Sequence, residues 1–315
     1  MNKETNIKSY QTKYIWLLVY VLSFGYCHAQ QDSQYTQYMY NTQVINPAYA
    51  GSRGMLSLNG LHRTQWVGLE GAPRTFSFSL NSPIGNKGIG LGMAFIRDEI
   101  GPSIENNIAI DFSYTIQTSE KTKLSFGLKG GLNILDVNYD KLAINDPNDP
   151  DFRNNINSRT SPMVGVGFYW YNDNTWYIGL SSPNLLRTSH YDDNQVTEVT
   201  EEMHAYLMGG YVFELSESVK FKPALLVKAI TESPLAIDVS ANFLFNEKFT
   251  LGAAYRFDAA ISGLVALQAS DKLMIGYAYD YDTTELGNYN SGSHEIFLRF
   301  EFFTKVRSTV NPRFF

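Results

Sequence analysis

The residues that could do chemistry are few and scattered. Beyond an apolar leader the histidines are His62, His190, His204 and His294, and no cysteine follows Cys27. Acid–base or nucleophilic catalysis needs such groups held beside a Ser, Asp or Glu at defined spacing. The strings that mark those arrangements are absent: no His-Glu-x-x-His pair, no Gly-x-Ser-x-Gly elbow, no phosphate loop. Loss of Cys27 with the leader would also remove disulfides and thiolate metal sites. A hydrolase built into a barrel wall would need a strand Ser and His brought together from distant positions, and nothing marks such a pair. His294, at the start of the last alternating stretch, reads as a polar residue at a strand end. The expectation is a non-enzyme without cofactor, catalytic residue or metal.

One loop is rich in oxygen ligands. Asp146-Pro147-Asn148-Asp149-Pro150-Asp151 packs three carboxylates into six residues, a composition that suits hard cations. Its two prolines, and the lack of a turn glycine and a closing Glu, break the calcium-loop pattern, so it reads as a solvated acidic loop. The run Asp192, Asp193, Glu198, Glu201 and Glu202 reads the same way. A third set, Lys129, Arg256, Asp258, Arg299 and Glu301, falls on the polar phase of alternating stretches. These charges could line a channel or pair with a segment inside it. Pairing is the preferred reading, because a segment held inside a barrel needs polar partners.

The elements that would position these residues are strands. In 315 residues with 21 Tyr, 20 Phe and only 18% charged residues, the composition suits a surface that is part lipid and part water. A net charge of −6 without a basic stripe argues against nucleic acid. Lys3, Lys8 and Lys13 precede an apolar core, Tyr14 to Tyr26, of signal-peptide length. Small residues before Gln30 place the expected cleavage after Ala29, and bulky Tyr26 argues against a lipoprotein reading of Cys27. After the leader no apolar run is long enough for a membrane helix.

From residue 54 the chain alternates apolar and polar residues in stretches of about ten, separated by turn chemistry, the signature of a membrane β-barrel. The candidate strands are 54–62, 74–82, 88–97, 104–117, 122–137, 161–171, 175–182, 203–214, 219–230, 235–245, 248–258, 261–268, 272–281 and 293–303. They make an all-β transmembrane antiparallel barrel of about 14 strands, within a range of about 12–16. In 122–137, Leu124, Phe126, Leu128, Leu132 and Ile134 share one face while Ser125, Lys129 and Asn133 share the other. In 293–303, Ile296, Leu298, Phe300 and Phe302 oppose Glu295, Arg299 and Glu301, with Phe297 on the polar phase. No amphipathic helix is available to cover so many apolar faces, so lipid is the expected cover.

The connections 83–87, 118–121, 172–174, 215–218, 246–247 and 269–271 are short. Those in the other phase include the long 63–73, 138–160, 183–202 and 282–292, with tight exceptions near 231–234 and 259–260. That alternation is expected if the N-terminus is periplasmic. A soluble β-sandwich would explain the alternation but not the loop asymmetry.

Between leader and barrel lies Gln34–Gly51, QYTQYMYNTQVINPAYAG, too polar for a core strand. Asn46-Pro47 followed by Gly51 forbids one continuous helix. It reads as an irregular plug, the alternative being a plain linker. The resulting division is 1–29 signal peptide, 30–53 plug, 54–303 barrel and 304–315 periplasmic tail.

These residues resemble the PorP/SprF family, outer-membrane proteins of the Bacteroidetes type IX secretion and gliding motility apparatus. The resemblance rests on Gln37, Tyr38, Asn41, Asn46, Pro47, Ala48, Tyr49 and Gly51 in the plug, and on Arg63, Gln65, Trp66, Gly68, Gly71, Ala72 and Pro73 in the first loop. The ending Pro312-Arg313-Phe314-Phe315 also looks like the family's. The Asn-Pro-Ala element is similar, at the level of fold, to the hatch of fatty-acid transporter barrels. The resemblance implies a role in exporting or anchoring a large surface adhesin with a C-terminal sorting domain, either as a dedicated partner or beside periplasmic ring components. The dedicated partner is favoured, and the alternative is a plugged porin or transporter for a small or hydrophobic solute. A lipid-modifying barrel enzyme would need a catalytic pair at the outer membrane face. Arg313, Phe314 and Phe315, with Lys305 and Arg307, make a basic tail that could dock a periplasmic partner.

Overall fold

Period-two alternation puts side chains on opposite faces of a strand, and here it generates a closed antiparallel wall. The computed structural model describes residues 34–142, 155–186, 188–192, 195–201, 203–231 and 233–302. The strands are β1 (Leu56–Thr64), β2 (Arg74–Ile84), β3 (Ile89–Ile100), β4 (Ser103–Gln117), β5 (Thr122–Val137), β6 (Ile156–Asn172), β7 (Trp176–Ser182), β8 (Thr188–Asp192), β9 (Gln195–Glu201), β10 (His204–Tyr211), β11 (Phe213–Ser216), β12 (Val219–Ile230), β13 (Ala236–Phe245), β14 (Phe249–Arg256), β15 (Ala260–Gln268), β16 (Leu273–Asp282) and β17 (Ser293–Phe302). Neighbours in sequence pair along the wall. β1 pairs with β17, and β10 pairs with both β7 and β12, so the sheet has no seam left open. Since β10 and β11 form one stave, the barrel has fourteen staves, as the alternation predicts.

Inward and outward phases separate cleanly. In β17, Glu295, Phe297, Arg299 and Glu301 are buried while Ile296, Leu298, Phe300 and Phe302 are exposed on the outer face. In β5, Ser125, Lys129 and Asn133 turn inward and Phe126, Leu128 and Leu132 outward. Apolar side chains on the outer face and closed backbone pairing satisfy the two demands of hydrocarbon. Among the described residues no helix is long and apolar enough to cross a membrane. Aromatics gather near one rim: Tyr211, Phe213, Phe221, Phe243, Phe245 and Phe249 form a chain of ring contacts across four staves. Such girdles mark a membrane–water boundary.

Connections at that rim, 85–88, 118–121, 173–175, 217–218, 246–248 and 269–272, are short; we call it the short rim. The opposite, long rim carries 65–73, 138–155, 183–203 and 283–292, with tight turns at 101–102, 231–235 and 257–259.

Several expectations shift. The strand expected at 161–171 begins at Ile156, because β5 is long enough to pair with it through Val137. The strand expected at 203–214 is interrupted at Val212, whose amide bonds the Thr175 carbonyl. The stretch 183–202, read as a bare loop, holds the separate two-stranded sheet β8–β9, where β-branched Thr188, Val196, Thr197, Val199 and Thr200 favour extended backbone. The strand expected at 248–258 stops at Arg256. Asp258 lies in the following turn, exposed and with φ of 54°, so it does not face the lumen. The connection between β3 and β4 is a tight turn although it lies on the long rim. The acidic loop 146–151, the leader 1–29 and the tail 304–315 lie outside the described residues.

Candidate functional site

Residues 34–53 lie inside the barrel, and their sequence dictates a broken path. Three short helical turns, Tyr38–Tyr40, Thr42–Ile45 and Pro47–Tyr49, succeed one another. Asn46 ends the second in extended geometry, and its side chain accepts a hydrogen bond from the Ala48 amide to start the third. Pro47 stands at the first helical position, where a missing amide donor costs nothing. At one end Gln34 accepts from Arg256 at 3.0 Å, at the long-rim end of β14. At the other end Arg53 pairs with Glu301, near the short-rim end of β17. The segment therefore runs through the lumen from one rim to the other.

Near the long rim it is held by charge. Arg63 on β1 bridges Asp280 on β16 at 2.6 Å and Glu295 on β17 at 3.2 Å. The Thr36 hydroxyl donates to Asp280 at 2.6 Å and accepts from Arg63 at 2.9 Å. The backbone amides of Thr36 and Gln37 donate to Glu295 at 2.9 and 2.8 Å. Arg63 and Glu295 are 2% and 0% exposed, so each needs the other: removing one partner of a buried pair strands the other charge. A second pair, Arg256–Asp238 at 2.8 Å, adjoins Gln34.

In the middle the partners are amides, hydroxyls and carbonyls. Asn41 donates to Ser77 at 2.9 Å, and Asn81 donates to the Gln43 carbonyl oxygen at 2.9 Å. The Gln43 amide donates to Asp111 at 3.0 Å and to the carbonyls of Leu80 and Met93. Asn46 donates to the Phe168 carbonyl at 3.0 Å. Ser181, Ser113 and Lys129 donate to the carbonyls of Ile45, Ala50 and Val44. Inward-facing strand glycines let the segment approach this closely. A Cβ on Gly127 would strike the backbone of Pro47 and Ala48, and one on Gly167 would strike the Asn46 side chain.

Between the middle and the short rim, Tyr40 stacks on Phe297 with ring centroids 4.6 Å apart. Lys222 and Arg299 lie over the Tyr40 ring at 5.5 and 5.6 Å. Tyr38, Met39, Tyr40, Val44, Ile45 and Ala48 join Leu61, Tyr169, Tyr177, Met208 and Phe297 in one buried cluster, so the segment is also part of the barrel's apolar interior.

The first-loop residues divide into two sites. Arg63 joins the lumen node described above. Residues 65–73 instead form a fixed bridge on the long rim: the Gln65 amide bonds the Pro73 carbonyl, Val67 exchanges bonds with Gly292 and Ser291, and Gly101 bonds the Gly71 carbonyl. Trp66, Gly68 and Gly71 all have positive φ, at 46°, 104° and 72°. Together with Glu99 and Gly101 they line a cleft of about 350 Å³.

The structure thus brings Gln37, Tyr38, Asn41, Asn46, Pro47, Ala48, Tyr49 and Gly51 together in the lumen. It sets Gln65, Trp66, Gly68, Gly71 and Pro73 apart from them. Arg313, Phe314 and Phe315 lie outside the described residues. Sequence reasoning missed Thr36, Asp111, Asp280 and the strand glycines; a carboxylate on the inward phase of a strand is the signal that could have found Asp111 and Asp280. His62 is exposed on the outer face, and His294 accepts or donates a bond with Tyr277 at 2.7 Å. Among the described residues no group of three or more His, Cys, Asp or Glu could hold a metal ion.

The family model for the type IX secretion system membrane protein PorP/SprF matches residues 27–300. No curated protein matches the chain. Of solved structures, the CymD monoaromatic hydrocarbon channel is similar with a TM-score of 0.52 at 13% identity, over 84% of this chain and 93% of that one. The P. putida toluene transporter TodX gives 0.47 at 10% identity, over 84% and 94%. A Pseudomonas aeruginosa FadL homologue gives 0.45 at 11% identity, over 82% and 93%. The likeness to CymD shows the fold, an outer-membrane barrel.

Proposed function

Because the chain belongs to the PorP/SprF family of type IX secretion system membrane proteins, we propose that it is an outer-membrane partner that helps export and anchor one large surface adhesin. The observation that carries this is the family match across 27–300. In this reading residues 34–53 are a plug that keeps solutes from crossing while the barrel serves as a docking body. The short rim and the tail 304–315 face the periplasm, where the secretion machine's ring components would be met. The long rim faces outward and meets the adhesin. Export is signalled by residues 1–29.

The plug reading is supported by the bonds of 34–53 to inward side chains around the wall, from Ser77 on β2 to Glu295 on β17. A porin needs an open polar path, and here inward polar groups on β1, β2, β4, β5, β7, β14, β16 and β17 bond residues 34–53 instead. The rival reading, a channel for a small or hydrophobic solute, draws on fold likeness alone.

The test is deletion of the gene followed by quantitation of proteins at the cell surface and in the medium. Loss of one large adhesin, with other exported proteins at normal levels, is the expected result. Loss of all cargo would make the chain a core subunit instead. Normal secretion with altered uptake of a small solute would overturn the proposal. A second variant lacking 305–315 should assemble its barrel and still fail to secrete; normal secretion would remove the docking role of the tail.

A further inference from the structure

The long rim differs from the short rim in charge and in shape. Among the described residues its connections carry seven acidic residues and one basic, whereas those of the short rim carry five and four. Summed charge of one sign steers a partner of the other sign and fixes its orientation. Acidity alone defines no site. On this rim, however, lies the preformed cleft between the 65–73 bridge and the β3–β4 turn.

Three features suit that cleft to a polypeptide. First, it is rigid: backbone bonds tie the bridge to Gly292, Ser291 and Gly101, so binding orders little new chain. Second, Trp66 has a left-handed φ of 46°, a cost that a non-glycine residue bears only where the surroundings impose it. Third, its lining mixes half-buried Trp66, Val67 and Leu69 with Glu70 and Glu99. Arg74 stands directly across from Glu99 in the strand register, while Glu70 is exposed on the bridge itself.

The geometry points to a docking cleft for an extended segment of the exported protein, one that sets an apolar side chain against Val67 and Leu69 and a Lys or Arg beside Glu70. This rests on the secretion reading and adds the place and the chemistry of contact. The arrangement recognises a basic, extended peptide; a free cation would have no use for the apolar wall, and an anionic lipid headgroup would be repelled.

The experiment places a photo-crosslinking amino acid at Leu69 in intact cells, beside the variants Glu70→Lys and Leu69→Asp in the full chain. Barrel assembly is checked by heat-modifiable electrophoretic mobility. The expected result is a crosslink to a Lys- or Arg-bearing stretch of the same adhesin that gene deletion removes from the surface. Each variant should assemble normally and lower display of that adhesin about tenfold, as loss of a central interface contact does. Full display in both variants, while gene deletion abolishes it, would overturn the cleft and leave the secretion role standing. A crosslink only to lipopolysaccharide or to another resident membrane protein would overturn it as well. Normal display after gene deletion would remove the premise and the cleft together.

Discussion

The two halves of the barrel wall hold the inner segment by different physics. Staves β2–β7 meet Asn41–Gly51 through glycines, side-chain amides, hydroxyls and carbonyls, with the Lys129–Asp111 pair at 3.5 Å as the charged exception. Staves β13–β17, with β1, meet its two ends through buried ions: Arg63, Asp280, Glu295, Arg256, Asp238 and Glu301. The first kind of contact fixes shape, because no side chain stands between backbones. The second fixes register, because a misplaced end leaves a buried charge unpaired. Both are needed to hold a segment that has no long helix or strand of its own.

The largest effect should come from breaking the charged side. Glu295→Ala leaves Asp280 as the one carboxylate paired with Arg63 and frees the amides of Thr36 and Gln37. A loss of roughly 3–5 kcal/mol follows, read as a lowered thermal midpoint in detergent. An unchanged midpoint would show that the node contributes register without stability.

On the close-packed side, Gly127→Val or Gly167→Val should cost roughly 1–3 kcal/mol through overpacking. Here the sharper readout is limited proteolysis. Cleavage within 34–53 should rise while the barrel still assembles; equal protection would mean that the segment shifts without leaving its seat. Gln43→Ala removes a side chain shared by Asn81, Asp111 and two carbonyls. It should cost roughly 1–2 kcal/mol, less than Glu295→Ala, and reversal of that order by thermal midpoint would contradict the division between the halves. The smallest effect marks where the comparison stops. Lys123–Asp173, at 2.8 Å on the short rim with both side chains about one-third exposed, should change stability by under about 0.5 kcal/mol when Lys123 becomes Ala.

The wall was legible in the sequence because lipid and lumen impose opposite polarity on alternate residues. The alternation of Ser125, Lys129 and Asn133 with Phe126, Leu128 and Leu132 gave its orientation before any pairing was known. Asn46-Pro47 likewise foretold a broken inner segment. What alternation cannot encode is which distant residues meet. Thr36, Arg63, Asp280 and Glu295 come together only because β1 closes on β17, and nothing local to any of them announces it. Asp258 misled for a related reason: it keeps the polar phase of β14, but a left-handed turn ends the strand two residues earlier. The strand glycines were ambiguous too, since a glycine facing empty space and one under Pro47 look alike in sequence. In the first loop the glycines announced a turn, while the division of labour between Arg63 and Trp66 needed three dimensions.

The central claim, that this barrel is a plugged docking body and not a channel, is tested most directly by conductance. The purified chain from residue 30 onward would be inserted into a planar lipid bilayer at fixed voltage. Insertion without steady ion current is the expected result, because residues 34–53 engage the lumen from rim to rim. Stable, long-lived conducting steps from the wild-type chain would contradict it and favour the solute-channel reading.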